Sequence, residues 1–192
     1  MAALSNTVLE SVVKNYIELN RPKSKAEFEW YAAQPSLEEA IRAAASAQTG
    51  TGKSTKTARK GSAESRKVAE EKLVEQMESL QSAKTFDSLL EEIERAVLPI
   101  PGLNDLYAYD TATRIGAFLN IWPKHVYLYT GTRTGAKQIG IVTKKRLVLF
   151  TSLPAPLQEL EPYEAEEALS NLKKLISDPA ATPSSYFSQS RE

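Results

Sequence analysis

Few side chains in this chain could do chemistry, and their spacing narrows the choice further. Asp110 and Arg114 stand four apart, His125 is the sole histidine, and cysteine is absent. Without a thiol there is no thiolate nucleophile, no disulfide and no cysteine metal site, and one histidine argues against zinc. No metal and no cofactor is expected. Asp110 could serve as an acid or base, but an ordinary i,i+4 ion pair with Arg114 on a helix face is the commoner outcome of that spacing. His125, beside Lys124, lacks a base-orienting partner in sequence and reads as loop or surface packing. Ala47 to Ser54 fits the loose form of a phosphate-binding P-loop, ending Gly52-Lys53-Ser54. That motif needs a strand before it and a helix after it. Here a helical pattern precedes, and no strand ending in Asp follows. Residues 48–61 therefore read as a basic flexible linker, free to touch phosphates without ordering first.

Another kind of chemistry needs no reactive side chain. Residues 98–116 read LPIPGLNDLYAYDTATRIG. A helical pattern runs up to Leu98, and the two prolines that follow cannot continue it. Gly102 accepts the positive φ that reverses a chain, and Asn104 is the residue type next most tolerant of it. A second helical pattern starts at about Asp105. The first N–H groups of that helix lack intrahelical partners and carry positive partial charge, which suits an anion.

At these residues the chain resembles the helix-hairpin-helix superfamily, whose turn reads hydrophobic-Pro-Gly-hydrophobic-Gly. Ile100-Pro101-Gly102-Leu103 match, and Ala108 stands where a small residue is usual. Asn104 replaces the second glycine, and the Asp105 carboxylate would compete with a phosphate for the same amides. In DNA glycosylases of this superfamily the hairpin is followed by a helix, a loop with a catalytic aspartate, and another helix, as 105–119, 120–128 and 130–140 would be here. The catalytic lysine would fall at Leu106 and the aspartate near Tyr129, so no catalytic residue carries over. Residues 86–141 are also similar to uncharacterised bacterial proteins that share the hairpin. The resemblance implies a non-catalytic DNA-binding protein that holds the phosphate backbone without reading sequence. Its contacts would be Pro101, Gly102, Leu103, Asn104 and Arg114. A second contact is expected at the next helix start, where Gly131 and Thr132 open the helix and Arg133 and Lys137 lie four apart on one face. Two rivals belong to other classes: a divergent glycosylase-like enzyme using Asp110 or His125, and a protein–protein adaptor that kept the fold and lost DNA.

The elements that must position these residues are helical. The chain has 192 residues, 42% of them hydrophobic, which is enough for a real core. Apolar residues recur at helical spacing in residues 5–19, in stretches capped by Ser24 and Ser36, and in 63–80, 86–98, 105–119 and 162–176. KKRLVLF, at 144–150, is too short to separate strand from buried helix turn. The sequence thus predicts an all-α fold of seven or eight helices packed around a helix-hairpin-helix unit. The expected organisation is an N-terminal helical segment at 1–47, the linker at 48–61, a core at 62–176 and a disordered tail at 177–192. No run of apolar residues is long enough to span a membrane, so no membrane is expected. The opening MAALSNTVLESVVKNYIEL lacks the basic start of a signal peptide, and a cytoplasmic location is expected. The formal net charge is zero but unevenly spread. Residues 48–67 carry six Lys/Arg against one acid, and residues 99–150 carry seven against two. Residues 68–98 and 151–192 are acidic. Such asymmetry suits one face turned to a polyanion.

Overall fold

A computed structural model describes residues 3–50 and 61–177, with side chains through 172. The linker is therefore described only at residues 48–50 and 61, and the P-loop-like Gly52-Lys53-Ser54 and residues 178–192 of the tail lie outside. The fold is all-α. The described residues form nine helices and one two-stranded sheet. In chain order these are α1 (Asn6–Leu19), α2 (Arg21–Ala32), α3 (Leu37–Ser46), α4 (Ala63–Glu75), α5 (Met77–Ser82), α6 (Phe86–Val97), α7 (Asp105–Leu119), β1 (His125–Tyr127), α8 (Thr130–Gln138), β2 (Leu147–Leu149) and α9 (Pro162–Ser177). Two short 3-10 turns lie between β2 and α9.

Several boundaries follow directly from local chemistry. Ser5, Ser36, Ser62 and Thr85 each cap a helix, accepting from the backbone N–H three residues on. Ser24 does not cap α2: that helix already starts at Arg21, with Pro22 in its first turn, where a missing N–H costs nothing. Residues 63–80 are not one helix either. The chain breaks at Gln76, without a glycine or proline to cause it, and resumes as α5. Ala69 and Leu73 before the break and Leu80 after it are fully buried, while Val68 is exposed. The ambiguous 144–150 run supplies strand β2, antiparallel to β1, with His125 opposite Leu149, Val126 opposite Val148 and Tyr127 opposite Leu147.

The described residues divide into two compact units. The first comprises residues 3–24 and 124–177, the second residues 25–50 and 61–123. The physical reason is in the packing of α1. Its Leu9, Val12, Val13 and Tyr16 share a core with Val126 and Leu128 of the β1 region, Ala136 of α8, and Ala165, Leu169 and Leu172 of α9. The N-terminal helix thus belongs with the C-terminal ones. Arg21 strengthens this unit by donating to both Glu164 oxygens at 2.8 and 2.7 Å and to the Glu159 carbonyl. Glu164 also accepts the Glu161 N–H, capping the start of α9. In the second unit α3 packs on α4 and α7, and α6 packs on α4, α5 and α7. Ten of the fifteen residues of α7 are buried, which makes it the central element there.

Candidate nucleic-acid interface

The turn between α6 and α7 is closed by the Leu103 N–H donating to the Ile100 carbonyl at 3.2 Å. Pro101 and Gly102 take its two central positions, and Gly102 has φ +85°, as a type II turn requires. Ile100 and Leu103 are buried beneath it, so Leu103 anchors the turn and offers no side chain to a ligand. Pro101, Gly102, Asn104 and Asp105 are exposed. Asn104 departs from the expectation of positive φ. Its backbone is extended, at φ −143°, and its side chain caps α7 by accepting the Tyr107 N–H at 3.1 Å. Asparagine is among the best N-caps, and that role won over reversal of the chain. One amide of the helix start is therefore already engaged. Tyr107 then fixes the helix from below, donating its hydroxyl to the Ala45 carbonyl at 2.7 Å.

A neighbour covers one flank of the turn. Ser65 Oγ, in the first turn of α4, donates to the Pro101 carbonyl at 2.8 Å. Gly61 lies so close that a Cβ on Gly102 would sit 3.5 Å from its Cα. Arg66 donates to the Gly61 carbonyl at 3.0 Å. Gly61 is where the stretch bearing Lys53, Lys56, Arg59 and Lys60 joins the described chain.

Arg114 is not placed to meet a phosphate. It is only 5% exposed, and its Nε donates to Glu27 Oε1 of α2 at 3.3 Å. The guanidinium lies over the Tyr31 ring, 5.7 Å from its centroid. Burial alone lowers the guanidinium pKa, but Tyr31, Asp110 and Glu27 outweigh it and the net direction is upward. Burial also raises the Tyr31 hydroxyl. The i,i+4 spacing to Asp110 is kept, and Asp110 still attracts the guanidinium, but the charge is buried in the second unit and is also held by Glu27, 87 positions away.

The second expected contact, at the start of α8, is taken up by packing. Gly131 and Gly135 face α9. A Cβ on Gly131 would sit 2.9 Å from Ser170 Oγ, and one on Gly135 would overlap the Leu169 carbonyl oxygen. Thr132 is buried and donates to Glu166 Oε1, a carboxylate that an incoming anion would meet. The Arg133 guanidinium donates to the carbonyls of Leu128, Thr143 and Lys145. Of these four residues only Lys137 is exposed. Sequence reasoning missed the packing role, although the Gly-x-x-x-Gly spacing was the signal for it.

The charge also shifts. Residues 99–123 carry one arginine against Asp105 and Asp110, whereas 124–146 carry six Lys/Arg and no acid. That second stretch belongs to the first unit, not to the hairpin's. Asp110 and His125 fall in different units, and His125 sits in β1 opposite Leu149. Among the described residues no group of His, Asp or Glu side chains could hold a metal ion. Comparison of the chain with protein-family models, with proteins of known function and with solved structures finds no match.

Proposed function

We propose that the protein is a non-catalytic, sequence-independent DNA-binding protein of helix-hairpin-helix type, acting in the cytoplasm. Its contact to the phosphate backbone is the turn at Pro101, Gly102 and Asn104, with cations supplied by the stretch that joins at Gly61. One observation carries this reading: Gly61 lies against Gly102. The stretch whose sequence carries Lys53, Lys56, Arg59 and Lys60 joins the described chain at this point, next to an exposed glycine turn that opens on a helix N-terminus. The hairpin's own residues, with two acids against the buried Arg114, could not supply that attraction. The same deficit favours a second reading, an adaptor whose hairpin meets a protein instead.

A salt titration separates the two. Duplex DNA binding should weaken on a log–log plot with a slope of roughly −0.9 for each phosphate neutralised. Replacing Lys53, Lys56, Arg59 and Lys60 with glutamine should flatten that slope. No binding to single-stranded, duplex or abasic DNA at low salt would put the adaptor first.

A further inference from the structure

Cations that the hairpin lacks gather elsewhere. Lys144, Lys145 and Arg146 are consecutive and exposed on the segment leading from α8 into β2. The backbone beneath them is held. Arg133 donates to the Thr143 and Lys145 carbonyls, Thr143 Oγ1 accepts the Lys145 N–H, and Leu128 N–H donates to the Arg146 carbonyl at 2.7 Å. Two exposed apolar side chains bracket the three charges. Val142 is 80% exposed and Leu149 56%, the highest values among the large hydrophobics of the described residues. Val126 and Val148 pack into the core, so strand alternation turns Leu149 to the opposite face of the sheet. Arg146 is exposed too, with its guanidinium 5.8 Å from the Tyr127 ring centroid.

We propose that residues 142–149 dock on the headgroup region of an anionic phospholipid bilayer. A membrane surface rewards both features: lysine and arginine are drawn to its negative potential, and apolar side chains enter the boundary between headgroups and acyl chains. Duplex phosphates would satisfy the cations but leave Val142 and Leu149 in water. The contact is a surface one, and no helix among the described residues is long and apolar enough to cross a membrane. It departs from the expectation of no membrane partner, which considered spanning segments alone. It is independent of the hairpin reading.

The test is co-sedimentation of the full chain with vesicles of phosphatidylcholine alone and of phosphatidylcholine mixed with phosphatidylserine. Binding is expected only to the mixed vesicles. Lys144→Gln with Lys145→Gln should weaken it by about fivefold per lysine. Val142→Ser with Leu149→Ser should weaken it roughly tenfold while leaving its salt dependence unchanged. All four side chains are exposed, so thermal unfolding should not move. Failure to bind the mixed vesicles overturns the proposal. So does binding that ignores the apolar pair, which would be charge attraction alone. Loss of duplex DNA binding in the lysine variant, without any vesicle binding, would assign the segment to nucleic acid instead.

Discussion

At its start α7 presents Asp105, Leu106 and Tyr107, while α8 presents Thr130, Gly131 and Thr132. The first follows a Pro-Gly turn and the second a short strand, and both suggest a phosphate site. In both, the third residue is a buried polar side chain bonded to another element: Tyr107 to the Ala45 carbonyl, Thr132 to the Glu166 carboxylate. The difference is where glycine falls. Before α7, Gly102 sits in an exposed turn at positive φ, with no other element packed where its side chain would be closer than Gly61 at 3.5 Å. Within α8, Gly131 and its neighbour one turn on, Gly135, form a flat strip into which α9 settles. A glycine that frees a backbone for a ligand and a glycine that admits another backbone are the same residue type. Recurrence at i+4 distinguishes them, because it marks one face of a helix.

The largest expected effect tests that distinction. Gly135→Ala puts a methyl group into the Leu169 carbonyl oxygen, backbone against backbone, and should destabilise by about 3 kcal/mol. Gly131→Ala meets only Ser170 Oγ, a side chain that can turn away, and should cost about 1 kcal/mol or less. Urea unfolding of the two variants gives both values. An unchanged midpoint for Gly135→Ala would mean that α8 and α9 do not approach as closely as this, and the comparison would fail at its root.

Alkali sharpens the comparison at the third position, because Tyr107 titrates and Thr132 does not. Burial, the largest cause, pushes the Tyr107 hydroxyl up to about 12. Its folded pKa lies above the ordinary value of about 10. The native state therefore holds the proton more tightly than the unfolded chain does. The contribution is whole below pH 10 and is lost as pH climbs from about 10 to 12. A two-unit shift corresponds to about 3 kcal/mol over that window. Burial also raises Tyr16 and Tyr31, so the whole protein should weaken in alkali. Tyr107→Phe isolates one member: the fall in unfolding free energy above pH 10 should become shallower, even though the variant starts lower for want of its hydrogen bond to Ala45. An identical fall in both proteins would show that Tyr107 is not ionised on unfolding in that window.

What sequence could and could not reveal follows from the range of each interaction. The Ser36 cap was legible because a cap acts within three residues, and so was the Pro101-Gly102 turn, whereas Ser24 carries the same signal inside a helix that already starts at Arg21. The burial of Arg114 was not legible, because its contact with Glu27 is remote in sequence and the i,i+4 neighbour Asp110 alone gave no sign of it. Arg133 resembled a surface cation for the same reason, since the carbonyls it holds belong to loops that carry no pattern. β1 and β2 are three residues each, below the length at which alternation can be recognised. The charge sum over 99–150 misled because the two units divide at Pro123 and Lys124, and it credited the hairpin with lysines from the other one.

The smallest expected effect bears on the hairpin itself. Asp105 is exposed in the first turn of α7, beside amides that the proposed function gives to a phosphate. Asp105→Asn removes one negative charge and keeps a short polar side chain. An acid near a helix N-terminus favours the helix by about 0.3–1 kcal/mol, so thermal stability should fall slightly. Asn104 still caps the helix, which keeps that loss small. Affinity for DNA should move the other way. A unit charge a few ångströms from a phosphate in water is worth about 1 kcal/mol, or at most roughly a fivefold gain at low salt. A turn that only joins α6 to α7 predicts the loss of stability and no gain in binding. Lower stability together with tighter binding is what a phosphate near the turn predicts. A folded Asp105→Asn protein with unchanged DNA affinity at low salt would therefore remove the hairpin from the interface, leaving Gly102 as a turn residue and nothing more.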